Sequence, residues 1–261
     1  LCKYNPSRVA DFVDDLRVGD VRLEELLPSM EESGVVDAAV ILLARQGQVR
    51  AAMDRLITHL GTLESGLVGI LQNLHDSPDS ASTTEAIDHL VESLDKFTRV
   101  GTWLCQGQSK TAKNSRAVER NGTGKGVLEQ PLSFDESLWL DLIEAVVRTA
   151  SSVFGLVQQE RAAPVTPATS HLMSAFRALV QQVFTSLLSS TVRVGGSSSS
   201  ERSDVSFLRI LRAFLTRAAS WSPSLLELRA VLASIFSAYT YEKSLLALAN
   251  GMLDRDLFVH V

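Results

Sequence analysis

The sequence predicts an all-α fold, an α-solenoid of stacked antiparallel helical hairpins. Apolar residues recur at i, i+3, i+4 and i+7 along most of the chain. Glycines and prolines punctuate these stripes at hairpin spacing, and no run alternates with the period of two that a half-buried strand needs. Residues 34–60 display the repeating unit. The stretch from Asp37 to Arg45 is apolar on almost every side, so that helix must be enclosed by others. Gly47, between Gln46 and Gln48, supplies the left-handed residue that stops a helix. Val49, Ala52, Met53, Leu56, Ile57 and Leu60 then share one face of a second helix. Arg50 and Asp54 lie off that face, spaced for an ion pair worth about 0.2–0.5 kcal/mol. Packing dominates, because each fully buried Leu or Ile contributes about 1.5–3 kcal/mol.

The other elements follow in order. Asn5-Pro6 opens a first helix whose stripe is Val9, Phe12, Val13 and Leu16, and Gly19-Asp20 ends it. Leu23, Leu26, Leu27 and Met30 begin a second, in which Pro28 removes a backbone donor and is expected to kink or restart the helix. The helix from Val49 extends through Leu63, Leu67, Ile70, Leu71 and Leu74, against the weakening effect of Gly61, Gly66 and Gly69. Residues 76–84 read as a polar linker ending in a capping box, Ser82 with Glu85. The helix behind it carries Ile87, Leu90, Val91, Leu94, Phe97 and Leu104. Residues 107–130 are polar and glycine-containing, a mobile loop by composition.

Ser133 with Glu136 forms a second capping box. It opens a helix with Trp139, Leu142, Ile143, Val146, Ala150, Val153, Phe154 and Val157. Pro164 and Pro167 separate this from a stripe of Leu172, Phe176, Leu179, Val180, Val183, Phe184 and Leu187. Residues 194–203, with Gly195-Gly196 and a serine run at 197–200, read as a flexible insert. Three helices close the chain, with stripes Leu208, Leu211 and Leu215, then Leu228, Val231, Leu232, Ile235 and Phe236 behind Ser222-Pro223, then Leu245, Leu248, Met252, Leu253 and Leu257. The expected organisation is one solenoid fragment over 1–261, with flexible inserts near 76–84, 107–130 and 194–203.

Composition narrows the function. The chain has 261 residues and a formal charge of −5 with both signs interspersed, which argues against a nucleic-acid binder. Cys2 and Cys105 are the two cysteines, and free thiols in a reducing compartment are the simplest reading. Asn121-Gly122-Thr123 matches a glycosylation sequon, idle where no signal peptide precedes it. No apolar run reaches the roughly 18 residues that span a bilayer. The chain opens on Leu1 rather than an initiator methionine and reads as part of a longer protein.

Reactive motifs are weighed against plainer readings. Residues 121–126 resemble a phosphate loop, but Glu119 and Gly126 stand where glycine and Ser/Thr are required, and no strand precedes them. None of His59, His75, His89, His171 and His260 shares a helical turn with another His or Cys, so spacing gives no zinc cluster. Asp88 and Glu92 flank His89 as solvated surface, and Glu24-Glu25 and Glu31-Glu32 are solvated acidic faces. No serine lies in a nucleophile elbow. The expectation is no catalytic residue, no cofactor and no metal. Lys110, Lys113, Arg116, Arg120 and Lys125 make the 107–130 loop basic. An acidic partner or anionic lipid is the specific reading of that loop, and a soluble disordered insert the plainer one.

Five segments carry a family resemblance. They are Tyr4-Asn5-Pro6 with Val9, Phe12 and Val13; Arg22-Leu23-Glu24-Glu25; Asp37-Ala38-Ala39 through Leu42-Leu43-Ala44-Arg45-Gln46-Gly47; Leu138-Trp139 with Leu142-Ile143-Glu144-Ala145; and Tyr241-Glu242-Lys243-Ser244-Leu245-Leu246 with Asp256-Leu257. In this order they resemble the C-terminal helical region of the vacuolar protein sorting-associated protein eight family, subunits of the CORVET endosomal tethering complex. The resemblance implies a clathrin-heavy-chain-repeat-like α-solenoid, flanked in that family by a β-propeller and a RING zinc domain. No RING ligand transfers, because the sequence stops at Val261.

The resemblance also implies a non-enzymatic scaffold segment supporting vesicle tethering and fusion in endosome-to-vacuole or lysosome transport. The implied partners are other tethering-complex subunits and, through the full-length protein, an early-endosomal Rab GTPase. The implied location is cytoplasmic and peripheral on endosomal membranes through the complex, without nucleic acid. Cut solenoid ends expose apolar surface, so Phe12 and Leu16 at one end and Leu253, Leu257 and Phe258 at the other are the expected partner contacts. The alternatives are a scaffold of a related HOPS or clathrin-type coat protein, an all-helical enzyme with a composite site, and a membrane-surface module using the basic loop.

Overall fold

A computed structural model describes residues 23–73, 81–107, 131–159, 167–192 and 205–218. Among them are seven helices and no strand: α1 Leu23–Glu32, α2 Val36–Arg45, α3 Val49–Asn73, α4 Ala81–Cys105, α5 Phe134–Gln159, α6 Pro167–Val192 and α7 Phe207–Ala218. The stripes expected at Val9–Leu16, Leu228–Phe236 and Leu245–Leu257, Leu74, and the bulk of the three inserts lie outside the described residues.

The two short helices end as their glycines dictate. Gly34 (φ 70°) lets the Val35 amide donate to the Met30 carbonyl at 2.9 Å, and both side chains are buried in a small core with Ala38, Ala39 and Leu42. Gly47 (φ 81°) closes α2 with paired bonds, Gln48 to Leu43 at 3.0 Å and Gly47 to Ala44 at 3.1 Å. This is the Schellman arrangement, which satisfies carbonyls the helix end would orphan. α2 is enclosed on both sides. Ala38, Ala39 and Leu42 face the small core, while Val40, Leu43 and Ala44 belong to the main one.

Three expectations are corrected. α1 runs through Pro28 without restarting, and Pro28 itself is exposed. α4 begins at Ala81, so residues 81–84 are helical rather than linker, and Ser82 stands inside the first turn. Ala81, the best helix former, continues the helix upstream of the motif. In α7 the buried set is Phe207, Ile210, Leu211, Phe214 and Ala218, whereas Leu208 and Leu215 are 63% and 46% exposed. Two stripes compete on this helix, and the one carrying both phenylalanines removes more apolar area from water.

The five longer helices form two layers. α3, α5 and α7 lie side by side in one, with α4 and α6 in the other. α3 and α4 are antiparallel: His59 meets Phe97, and Gly66 meets Leu90. α3 and α5 are parallel, joined by Arg50–Asp141 near one end and Glu64–Ser152 farther along. The geometry is that of stacked hairpins repeating along one axis. One core runs from α2 to α7, and its largest fully buried side chains include Trp139, Phe176, Phe184 and Phe214. The stripes expected on α5 and α6 are buried throughout, except that Val157 is half-buried. α3 crosses Gly61, Gly66 and Gly69 unbroken because Leu60, Leu67 and Leu71 are anchored in the core.

Gly101 marks the tightest crossing. A Cβ there would stand 2.6 Å from Leu142 Cδ1 and 2.8 Å from Leu56 Cδ2, and both leucines are fully buried. Gly101→Val is expected to destabilise the chain by about 1–3 kcal/mol through overpacking. Gly61→Ala, where nothing lies within 4 Å, should instead stabilise it by up to about 1 kcal/mol through helix propensity. Urea unfolding of the two variants checks the opposite signs.

Candidate interaction surface

The helical seams are tied by a few polar groups. At the start of α5 the expected capping box is formed: the Glu136 amide donates to Ser133 Oγ at 3.2 Å, and the Ser133 amide to Glu136 Oε2 at 2.9 Å. The same carboxylate is fully buried. It also accepts the Ser206 amide at 3.0 Å and pairs with Arg209 Nη1 at 3.1 Å. Arg209 Nη2 donates to the Pro131 carbonyl at 2.7 Å. One side chain thus caps α5 and fixes the start of α7. The sequence motif announces the cap alone, since nothing local marks Ser206 or Arg209 as its partners.

A second buried acid sits at the first turn of α2. Asp37 Oδ1 accepts the Ala38 amide at 2.8 Å, and Oδ2 accepts Lys96 Nζ from α4 at 2.5 Å. The helix N-terminus favours that charge. Beside it, His59 packs edge-on against Phe97 with ring centroids 4.3 Å apart. Burial pushes the His59 pKa down, Asp37 pulls it up, and Lys96 lowers it again. Between α3 and α5, Glu64 accepts hydroxyl protons from Ser152 at 2.6 Å and Thr149 at 3.2 Å. Toward the outer rim, Arg50 pairs with Asp54 at 3.1 Å and Asp141 at 2.6 Å, and Arg217 reaches Glu144 at 2.8 Å. The Arg50–Asp54 pair is the one the spacing predicts. Such exposed pairs contribute about 0–1 kcal/mol each, so they set register more than stability.

The second layer carries a groove of about 370 Å³ between α4 and α6. Asp88, Glu92 and Asp95 rim it from α4, and Val91, Ala175 and Leu179 lie along it. His171 Nδ1 stands 3.7 Å from Asp88 Oδ1, and Arg99 holds Asp95 at 2.7 Å. Sequence reading treats Asp88 and Glu92 as flanks of His89. In the fold Asp88 instead faces His171 across the groove, a pairing that only tertiary structure reveals.

The expected partner contacts Phe12, Leu16, Leu253, Leu257 and Phe258 lie outside the described residues, as do Lys110, Lys113, Arg116, Arg120 and Lys125. Among the described residues no group of three or more His, Cys, Asp or Glu side chains is placed to hold a metal ion. No described helix is long and apolar enough to cross a membrane. Cys105 is a free, buried thiol whose pKa is raised well above the ordinary range by burial and then by the nearby Asp135 and Asp141.

Two outcomes follow from this geometry. Glu136→Ala should cost about 3–5 kcal/mol, because it removes the carboxylate that neutralises a nearly buried guanidinium, whereas Ser133→Ala should cost about 1 kcal/mol as a lost cap. Equal losses in urea unfolding would reduce Glu136 to a capping residue. For His59, the folded state binds a proton more weakly than the unfolded chain, whose value is near 6.5. Its contribution to stability is therefore present above pH 6.5 and is lost as pH falls below it. Thermal melts from pH 8 to about 5 should show His59→Gln losing less stability on acidification than the parent chain.

Comparison with known proteins adds one match. A family model described as VPS8-like, TPR-like repeats matches residues 83–261. No curated protein and no solved structure matches. The matched stretch takes in α5, α6, α7 and nearly all of α4, and it covers well over half of the chain. The two-layer stacking described above is the architecture such repeats build, and the chain belongs to the family of VPS8-like, TPR-like repeat proteins.

Proposed function

We propose that this chain is a non-enzymatic scaffold segment of an endosomal membrane-tethering complex subunit, of the CORVET type. On this reading it supports assembly of the complex and vesicle tethering in endosome-to-vacuole or lysosome transport. The observation that carries the proposal is the repeat-family match laid over a continuous two-layer helical array. In such an array each hairpin contacts its neighbours, so length and surface grow together while the core stays narrow. That geometry suits reach and protein contact. Three acids along the helical seams are met from neighbouring elements: Glu136 by Arg209 and Ser206, Asp37 by Lys96, Glu64 by Thr149 and Ser152.

The partners on this reading are the other subunits of the complex, with an early-endosomal Rab GTPase engaged through the full-length protein. The chain would act in the cytoplasm, peripheral to endosomal membranes. Phe12 and Leu16 at one end and Leu253, Leu257 and Phe258 at the other are proposed as the contacts. Capture of the chain by each tethering-complex subunit in turn tests the reading. Leu257→Asp with Phe258→Asp should weaken capture at least several-fold while leaving the thermal transition of the described helices in place. Failure of every subunit to capture the parent chain would remove the tethering assignment.

A further inference from the structure

We propose that the groove between α4 and α6 docks a basic amphipathic helix of a partner protein. The inference rests on the scaffold reading only in taking the chain as a protein-binding array, and it names a surface and a chemistry that reading does not supply. α4 and α6 are neighbours in the second layer, and the space between them stays open because Ala175 and Ala178 stand where larger side chains would close it. The result is a trough with an apolar side, Val91 and Leu179, and an acidic rim.

The rim has helical periodicity. Asp88, Glu92 and Asp95 lie at i, i+4 and i+7, so they share one face of α4 and span about 10 Å, two turns. A helix laid in the trough offers lysines or arginines at the same spacing, with its apolar face toward Val91 and Leu179. This is recognition of a helix by a groove, with register set by charge. Asp95 is already held by Arg99, and Asp88 faces His171. Glu92, in the middle, makes no hydrogen bond or ion pair among the described residues and is the carboxylate left for a partner. An anionic membrane or nucleic acid is repelled by such a rim.

The test uses the full 261-residue chain and two displayed libraries of helix-forming peptides of about four turns. One library fixes Lys or Arg at i, i+4 and i+7 beside a varied apolar face, and the other fixes Glu at those positions. The basic library should enrich and the acidic one should not. Affinities of the enriched peptides, read by fluorescence anisotropy, should fall about tenfold for Glu92→Lys, should fall likewise when Ala178→Trp fills the groove, and should weaken with added salt. Both positions are exposed, so unchanged melting curves are expected alongside.

Equal enrichment of the two libraries, or peptides that bind both variants as tightly as the parent, would overturn the proposal. A synthetic peptide of residues 108–130 that displaces the enriched peptides and binds more tightly would also overturn it, by making the chain's own segment the occupant. The assay contains no tethering subunit, so its failure leaves subunit capture untouched, and failed capture leaves the groove result standing.

Discussion

α5 must be covered on nearly every side, and that requirement arranges the helices around it. Its sequence places Leu138, Trp139, Leu140, Leu142, Ile143, Val146, Val147 and Ala150 in the interior, a set too broad for a single seam. α3 and α7 flank it within its own layer, and α4 and α6 cover it from the other. Gly101 shows how far the covering goes, since α4 approaches so closely that a methyl group would meet Leu142 and Leu56. Burying these side chains supplies the stability, at about 1.5–3 kcal/mol for each large one. The repeat arrangement follows, because a helix covered from both flanks must have neighbours that are themselves flanked.

Polar groups decide where along the seam each helix stops sliding. Apolar stripes interlock with little regard for a shift of one turn, whereas a buried carboxylate tolerates one position. Glu136 is satisfied only when the Ser133 and Ser206 amides and Arg209 converge on it. Asp37 likewise needs Lys96, and Glu64 needs Thr149 and Ser152. A buried acid that loses its partner is strongly penalised, so misregistered stacking is penalised most at Glu136 and Asp37, and more softly at the half-buried Glu64. The rim pairs around Arg50, Asp141, Arg217 and Glu144 repeat the register in softer form. Their guanidinium ends are half exposed, and water and salt screen them.

What the sequence revealed depended on whether the signal was local. The stripes of α5 and α6 were legible because their residues recur at helical spacing, although Leu138, Leu140 and Val147, which widen the buried face of α5, lie off the stripe. α7 offers two, and choosing between Leu208–Leu215 and Phe207–Phe214 needs knowledge of what it packs against. The capping box at Ser133 was readable, whereas Ser82, read as the start of its helix, lies one residue inside it. A cap is real only if the chain leaves the helix ahead of it, and Ala81 does not. Gly101 reads in isolation as a weakness in a helix, and its use lies in residues from two other helices. The surface was least legible of all, since the acids of α4 acquire their meaning only opposite His171 of α6.

The same two-layer geometry yields sealed seams and an open one, and the difference lies in side-chain size. Between α3 and α5 the crossing positions are filled by residues such as Leu56, Leu60, Leu142 and Ile143. Between α4 and α6 the small Ala175 and Ala178 leave a trough. The carboxylates along it work slightly against α4, because like charges at i and i+4 destabilise a helix by a few tenths of a kcal/mol, about 0.2–0.5. Arg99 and His171 relieve the ends of the row and not its middle. A purely structural surface has no need of an apolar trough beside an acidic row whose middle carboxylate is unrelieved, since a lysine at position 92 would hold α4 better. Stability alone therefore does not account for this face of the array, whereas a cationic ligand would relieve its charge and cover its apolar side at once.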